Sequence, residues 1–170
     1  LMRSDQLTFF DKNDRERSLF EQPAPQLKAT TITVTKTIIA PAQQVFDQWL
    51  IPVFIGEWMF GPKIQQEKVI HLENEVRKGG GFKFRLNRKG LDLIINGKLL
   101  ELEIPKRLTM SWRESTHPDE QSQIIAQFDS LEEKTKLKVS IRLPAKLSNQ
   151  KESTKKLWTA RLKVLAEKCN

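Results

Sequence analysis

Residues 137–169 read LKVSIRLPAKLSNQKESTKKLWTARLKVLAEKC, and the spacing of their apolar residues changes halfway along the stretch. At the beginning, apolar and polar residues alternate, a pattern that predicts a β-strand with one buried face. The alternating apolar positions are Leu137, Val139, Ile141 and Leu143. Further on, apolar residues recur three and four positions apart, which predicts an amphipathic helix. These residues are Trp158, Leu162, Leu165 and Cys169.

The beginning of this helix carries a recognisable signal. Asn149 is followed three residues later by Glu152, an arrangement that resembles a capping box. In a capping box the two side chains bond backbone N–H groups that the first helical turn leaves free. We therefore predict a long C-terminal helix over residues 149–168.

The first strand lies far upstream. Residues 31–38 read TITVTKTI, a strict alternation rich in β-branched residues that predicts a strand. Pro41 suits the first turn of a helix, and Pro52 ends that helix after a few turns. A second short helix is expected through Phe54 and Trp58, before Gly61 and Pro62 interrupt the pattern.

The middle of the chain is a succession of strand patterns separated by short polar turns. We expect strands within 64–72, 82–86, 91–104, 108–113 and 124–128. Residues 87–90 indicate a hairpin turn. Asn96-Gly97 is consistent with a turn or a bulge, so residues 91–104 form either a strand pair or one bent strand. Consecutive strands with short turns favour an antiparallel sheet with one solvated face.

This order of elements predicts an α+β fold of the helix-grip kind. A curved antiparallel sheet of about six or seven strands would wrap around the long C-terminal helix, with two short helices after the first strand. The predicted domain spans residues 30–170. Residues 1–29 are polar, balanced in charge and marked by Pro23 and Pro25, so we interpret them as an N-terminal appendage.

Several classes of protein are disfavoured by the sequence. No apolar run approaches the roughly 20 residues of a membrane span, and the N-terminus lacks a leader pattern. We expect a cytoplasmic protein. Cys169 is the single cysteine, and neither His71 nor His117 has metal-ligand spacing around it, so we predict no metal and no other cofactor.

The net charge is +8, from 29 basic and 21 acidic residues. Such a charge favours an acidic partner, a nucleic acid or an anionic surface, or it simply reflects a lysine-rich solvated face. No basic cluster occurs together with stacking aromatic residues in a nucleic-acid motif. We therefore predict no nucleic-acid binding.

The chain also resembles a known family. The resemblance runs through Lys36–Phe46, Trp58, the glycines 79–81 before Phe82, residues 97–112 and a final helix with Trp158. In this order and spacing the motifs are similar to the START-like (SRPBCC) superfamily, and within it to the family named after the activator of Hsp90 ATPase. The resemblance implies a helix-grip fold. It also implies binding either to an apolar ligand or to an Hsp90-type chaperone.

Inward-facing residues of the predicted sheet and helix are the candidates for a binding site. They either fill the core or line a cavity, and a sheet that curls around a helix tends to leave space between the two. The predicted wall consists of Trp58, Phe84, Met110, Trp112, Phe128, Trp158 and Leu162. Lys36 shares a strand face with apolar residues and is the expected polar contact, unless its amine reaches water. Residues 42–60 are the expected lid.

Three functions fit these observations. The first is a non-catalytic domain that holds a small apolar or amphipathic molecule between sheet and helix. The second, implied by the family resemblance, is a module that binds an Hsp90-type chaperone. The third is a cyclase- or hydrolase-like enzyme with Lys36 and Glu101 as acid and base, although no complete catalytic set is visible. The oligomeric state does not follow from the sequence.

Overall fold

The computed structural model describes residues 27–170 and contains seven strands and three α-helices in that range. Strand β1 (Thr30–Ile38) leads through helices α1 (Ala42–Asp47) and α2 (Pro52–Trp58) into the remaining strands. These are β2 (Glu67–Asn74), β3 (Gly81–Arg88), β4 (Leu91–Glu103), β5 (Arg107–Glu114), β6 (Ser122–Leu131) and β7 (Lys134–Leu143). A 3₁₀ helix (Ala145–Gln150) joins β7 to the long helix α3 (Lys151–Cys169). Most of the predicted appendage lies outside the described residues.

The strands form one sheet in the order β1-β7-β6-β5-β4-β3-β2, and all neighbours are antiparallel. All consecutive strands from β2 to β7 are neighbours, while β1 is placed beside β7 at the far edge. In the pairing of β1 with β7, Val34 lies opposite Val139. A slip of one residue would turn the apolar side of β1 to solvent, so the alternation in residues 31–38 specifies the register.

Helix α3 covers the apolar face of the sheet and packs against β1. Trp158, Leu162 and Leu165 are all buried. At the C-terminal end, the backbone N–H of Ile39 donates a hydrogen bond of 2.9 Å to the side-chain oxygen of Asn170. These contacts confirm the predicted helix-grip fold. No helix within residues 27–170 combines the length and the apolar character needed to cross a membrane.

The two short helices pack at separate places. Helix α1 contacts β6 and β7, whereas α2 contacts β2 and α3. Phe46 on α1 lies 4.8 Å, between ring centroids, from Phe128 near the C-terminal end of β6. Residues 42–50 therefore close the Phe128 end of the sheet.

The predicted helix start at Asn149 is wrong. Helix α3 begins at Lys151, and no side-chain hydrogen bond caps it. Asn149 is instead part of the preceding 3₁₀ helix, which is anchored by the buried Leu147. Its backbone is already helical, whereas a capping residue needs a non-helical, usually extended, conformation.

Residues 91–103 form one strand, and the bulge lies later than predicted. Asn96 and Gly97 keep a continuous register with β3. The register with β5 shifts at Leu100, between Leu99 and Glu101. Glycine is needed at position 97 for another reason, because a Cβ atom there would lie 1.9 Å from the backbone oxygen of Ser111.

Candidate ligand-binding cavity

Aromatic rings fill the centre of the space between sheet and helix. The ring of Trp49 stacks on that of Trp158 with 5.8 Å between centroids and 8° between planes. Trp58 lies 4.9 Å from Trp49 between ring centroids, and its indole N–H donates to the backbone oxygen of Gln48 at 2.8 Å. Trp58 is therefore held by packing and by a buried hydrogen bond.

A second aromatic group lies on β3 and β5. The rings of Phe82 and Phe84 are 4.8 Å apart, and Phe84 approaches Trp112 edge-on at 6.2 Å. Trp112 in turn lies 6.2 Å from Trp158, so the two groups are continuous. Much of the predicted wall consequently packs against itself.

A cavity lies at one end of this aromatic core, where α3 and the 3₁₀ helix cross the ends of β5, β6 and β7. Its volume is about 150 Å³. The apolar part of the wall consists of Trp112, Ile124, Ile141, Leu143, Leu147, Leu157 and Trp158. The polar part consists of Gln65, Arg88, Glu114, His117, Glu120, Ser122, Gln150, Ser153, Thr154 and Arg161.

The structure places the predicted site residues in two groups. Trp112 and Trp158 line the cavity. The others are buried in the core and take no part in this wall: Trp58, Phe84, Met110, Phe128 and Leu162. The expected lid, residues 42–60, does not line this cavity. Helix α1 packs at the Phe128 end of β6, whereas the cavity lies at its Ser122 end, and α2 packs against β2 and α3.

Lys36 and Glu101 are not brought together. Lys36 lies on the inner face of β1, half-buried and opposite Leu137, and does not line the cavity. Glu101 lies opposite Thr109, whose hydroxyl donates to the Glu101 carboxylate at 2.7 Å. Directly opposed residues share a face, and Thr109 alternates with the inward Leu108 and Met110. Glu101 therefore lies on the outer face, and the acid–base pair proposed for an enzyme does not form.

The sequence reasoning missed Arg161, a charged residue of the cavity wall whose side chain is almost fully buried. Its residue exposure is 1%. Nε donates to the backbone oxygen of Met59 at 2.8 Å, while Nη2 has no hydrogen-bond partner among residues 27–170. Arg161 follows Trp158 by three positions, so it belongs to the inward stripe of α3. That spacing was the available signal.

Aromatic rings surround the Arg161 guanidinium. Its central carbon lies 4.7 Å from the ring centroid of Trp158, 5.3 Å from that of Phe60 and 5.8 Å from that of Trp112. Such contacts attract a cation through the negative faces of the rings. They offset part of the cost of removing the charge from water.

The pKa of Arg161 is lowered to about 10, mainly by burial of the guanidinium and to a smaller extent by the positive charge of Arg88. The negative charges of Glu67 and Glu114 act in the opposite direction and raise it. The side chain is still a cation at neutral pH. The carboxylate of Glu67, itself fully buried, pairs with Arg88 at 3.1 Å. The carboxylate of Glu114 accepts the indole N–H of Trp112 at 3.0 Å. Arg161 therefore carries its charge without a direct ion pair in the described part of the chain.

The remaining titratable candidates lie apart from one another. His71 is exposed on β2 beside Glu73, whereas His117 is exposed at the edge of the cavity. Cys169 lies at the end of α3, where burial raises the pKa of its thiol. Within residues 27–170, no three His, Cys, Asp or Glu side chains are grouped so as to hold a metal ion.

Solved structures share this fold. Protein CV1439 from Chromobacterium violaceum matches with a TM-score of 0.69 and 21% identity, covering 82% of this chain and 96% of that one. CalU16 from Micromonospora echinospora matches with a TM-score of 0.62 and 22% identity, covering 85% and 78%. The AHSA1-like protein from Aeromonas hydrophila matches with a TM-score of 0.65 and 18% identity, covering 81% and 90%.

No curated protein matches the chain. A comparison with protein families matches residues 39–169 to the family described as activator of Hsp90 ATPase homolog 1-like protein. The match confirms the resemblance seen in the sequence, including the START-like superfamily, and covers nearly all of the helix-grip fold. The chain belongs to the activator of Hsp90 ATPase homolog 1-like family.

Proposed function

We propose that this chain is a non-catalytic binding domain that holds a small amphipathic molecule between the sheet and α3. The observation that carries the proposal is the cavity of about 150 Å³, which has an apolar wall on β6, β7 and the 3₁₀ helix and a polar wall around Arg161. Ligand sites combine apolar walls with a few placed polar groups. An amphipathic molecule satisfies both walls at once.

The size of the cavity limits the ligand. Pockets for drug-sized molecules usually measure about 300–1,000 Å³, which is larger than the roughly 150 Å³ found here. The enclosed part of the ligand is therefore small, comparable to a single substituted ring or a short aliphatic chain. Trp58, Phe84, Met110, Phe128 and Leu162 contribute by holding the sheet and helix apart at the inner end of this space.

A substitution that fills the cavity tests the proposal. Thr154 lines the cavity from α3, while Thr159 on the same helix is exposed and donates its hydroxyl to the Lys155 backbone oxygen. Thr154→Phe should place a ring in the cavity, and Thr159→Phe is the matched control. Benzyl alcohol and benzoate are suitable probes, observed by saturation-transfer NMR.

We expect at least one probe to give saturation transfer with the wild type and with Thr159→Phe, and to lose it with Thr154→Phe. The proposal fails if neither probe binds the wild type. It also fails if Thr154→Phe leaves binding unchanged while the variant remains folded by circular dichroism.

Binding to an Hsp90-type chaperone is a second candidate function, favoured by the family to which the chain belongs. Strand β7 presents exposed basic side chains on its outer face, at Lys136, Lys138 and Arg142. Such a row suits an acidic partner, and the attraction should weaken as salt shortens the Debye length to about 10 Å at 0.1 M. A pull-down in low salt with a chaperone from the same source, together with an ATPase assay, tests it. Absence of both a complex and stimulation contradicts it.

A further inference from the structure

The hydrogen-bond donors of Arg161 are only partly used by the protein. A guanidinium carries five N–H donors and no acceptor. In Arg161, Nε is bonded to the Met59 backbone oxygen at 2.8 Å, and the buried Nη2 has no partner within residues 27–170. Aromatic rings contact the guanidinium but accept no conventional hydrogen bond from it. A buried donor without a partner is costly, so Arg161, which forms part of the cavity wall, keeps hydrogen-bonding capacity for an acceptor on a ligand.

None of the carboxylates around the cavity forms an ion pair with Arg161 in the described residues. Glu67 pairs with Arg88 through Oε2 at 3.1 Å, while its buried Oε1 has no hydrogen-bond partner within residues 27–170. Glu120 lies 3.9 Å from the amine of Lys146. Glu114 accepts a hydrogen bond from Trp112 and forms no ion pair with Arg161 in the part of the chain described. Glu67 and Glu114 therefore offset part of the cost of the buried Arg161 charge, but neither forms an ion pair with it within residues 27–170.

A purely structural role for Arg161 explains its Nε hydrogen bond but not the burial of a whole cation. Its Nε bond to Met59 ties α3 to the end of α2, and that tie needs one donor only. Burying a full cation for this purpose is expensive, because charges in protein interiors are normally paired. An arginine at this position is better explained by a ligand that completes the pair.

We propose that the cavity takes small amphipathic anions, with a planar oxyanion such as a carboxylate bound by Arg161 and an apolar body against Ile124, Ile141 and Leu147. This inference rests on the proposed ligand-binding function and adds the charge of the ligand. A guanidinium suits a carboxylate because two parallel N–H groups match two oxygens. The volume of about 150 Å³ limits the body to a ring or a short chain.

Two probes of similar size separate charge from shape. Benzoate carries the carboxylate, whereas benzyl alcohol has the same ring and no charge. By NMR titration, the wild type should bind benzoate about tenfold or more tightly than benzyl alcohol, because a carboxylate can form a bidentate ion pair with the guanidinium whereas a hydroxyl accepts a single hydrogen bond without a charge of its own. Arg161→Met should remove this preference, because the loss of the guanidinium lowers the affinity for benzoate much more than the affinity for benzyl alcohol.

Glu114 provides a variant with the opposite expected effect. Its carboxylate is the nearby negative charge that lacks a cationic partner in the described residues, so it should repel a bound anion. Glu114→Gln keeps an oxygen for the Trp112 indole N–H. It should increase the affinity for benzoate severalfold relative to the affinity for benzyl alcohol.

The Nε–H resonance of Arg161 gives a readout that needs no folded Arg161 variant. In the wild type, benzoate should shift this resonance, and benzyl alcohol should shift it far less. Equal affinities for the two probes, or a preference for benzoate that survives in Arg161→Met, would overturn the inference while leaving the binding function intact. If neither probe binds, the proposed function itself fails, and this inference fails with it.

Discussion

Truncation of Trp158 should cost a large part of the stability of the domain. Its ring stacks on Trp49 at 5.8 Å, meets Trp112 at 6.2 Å and lies 4.7 Å from the Arg161 guanidinium carbon. Replacing a buried Trp by Ala costs about 3–5 kcal/mol. The lost cation–π contact adds about 2 kcal/mol for a desolvated pair. We therefore expect Trp158→Ala to lower the free energy of unfolding by about 5–7 kcal/mol.

This loss is comparable to the whole stability of many domains, which is about 5–15 kcal/mol. Urea unfolding followed by far-ultraviolet circular dichroism measures it. Thr159→Ala, one residue further along α3 and exposed, is the control and should change stability by about 0.5 kcal/mol or less. A loss below about 2 kcal/mol for Trp158→Ala, with an unchanged denaturant slope, would refute the idea that Trp158 joins helix and sheet.

Two further predictions concern the backbone of β4 and the outer face of β7. Gly97→Ala should strongly destabilise the fold, because the new Cβ would lie 1.9 Å from the Ser111 backbone oxygen. Gly81→Ala is the control and should be tolerated, since the nearest atom to its new Cβ would be 3.7 Å away. The same urea titration measures both, and equal losses would contradict the close-approach argument. If the chaperone hypothesis is correct, reversing charge at Lys136 and Lys138 should weaken the low-salt complex without reducing benzoate binding, since both side chains are exposed on the face opposite α3. A complex that tolerates both substitutions would exclude this face as the contact surface.

The sequence predicted the architecture because its periodicities are strong and mutually consistent. The alternation in residues 31–38 and 137–143 determines which side chains face α3, and the registers of β1 and β7 follow from it. The stripe through Trp158, Leu162 and Leu165 identifies the helix that covers the sheet. Local signals were less reliable. The sequence around Asn149 predicts a helix cap, yet this segment forms a 3₁₀ helix in which Leu147 is buried.

The site was only partly predictable. Periodicity shows that Phe84, Met110 and Phe128 point inward, but it does not show which inward residues meet one another and which leave space between them. Which inward side chains touch one another depends on the angle and position at which α3 crosses the sheet. Arg161 could not be predicted from composition, since charged residues are seldom fully buried, although its position three residues after Trp158 places it on the inward face. Lys36 also lies on the inward face of its strand, β1, but its side chain is only half-buried and does not line the cavity.

The proposal that the cavity holds the ligand is tested most directly by an intermolecular NOE measurement between benzoate and the full chain. If the proposal is right, the ring protons of benzoate contact the methyl groups of Ile124, Ile141 and Leu147, which line the cavity. These contacts should disappear in Thr154→Phe. Contacts confined to exposed methyl groups such as those of Val53 or Leu91, with none to the cavity wall, would contradict it.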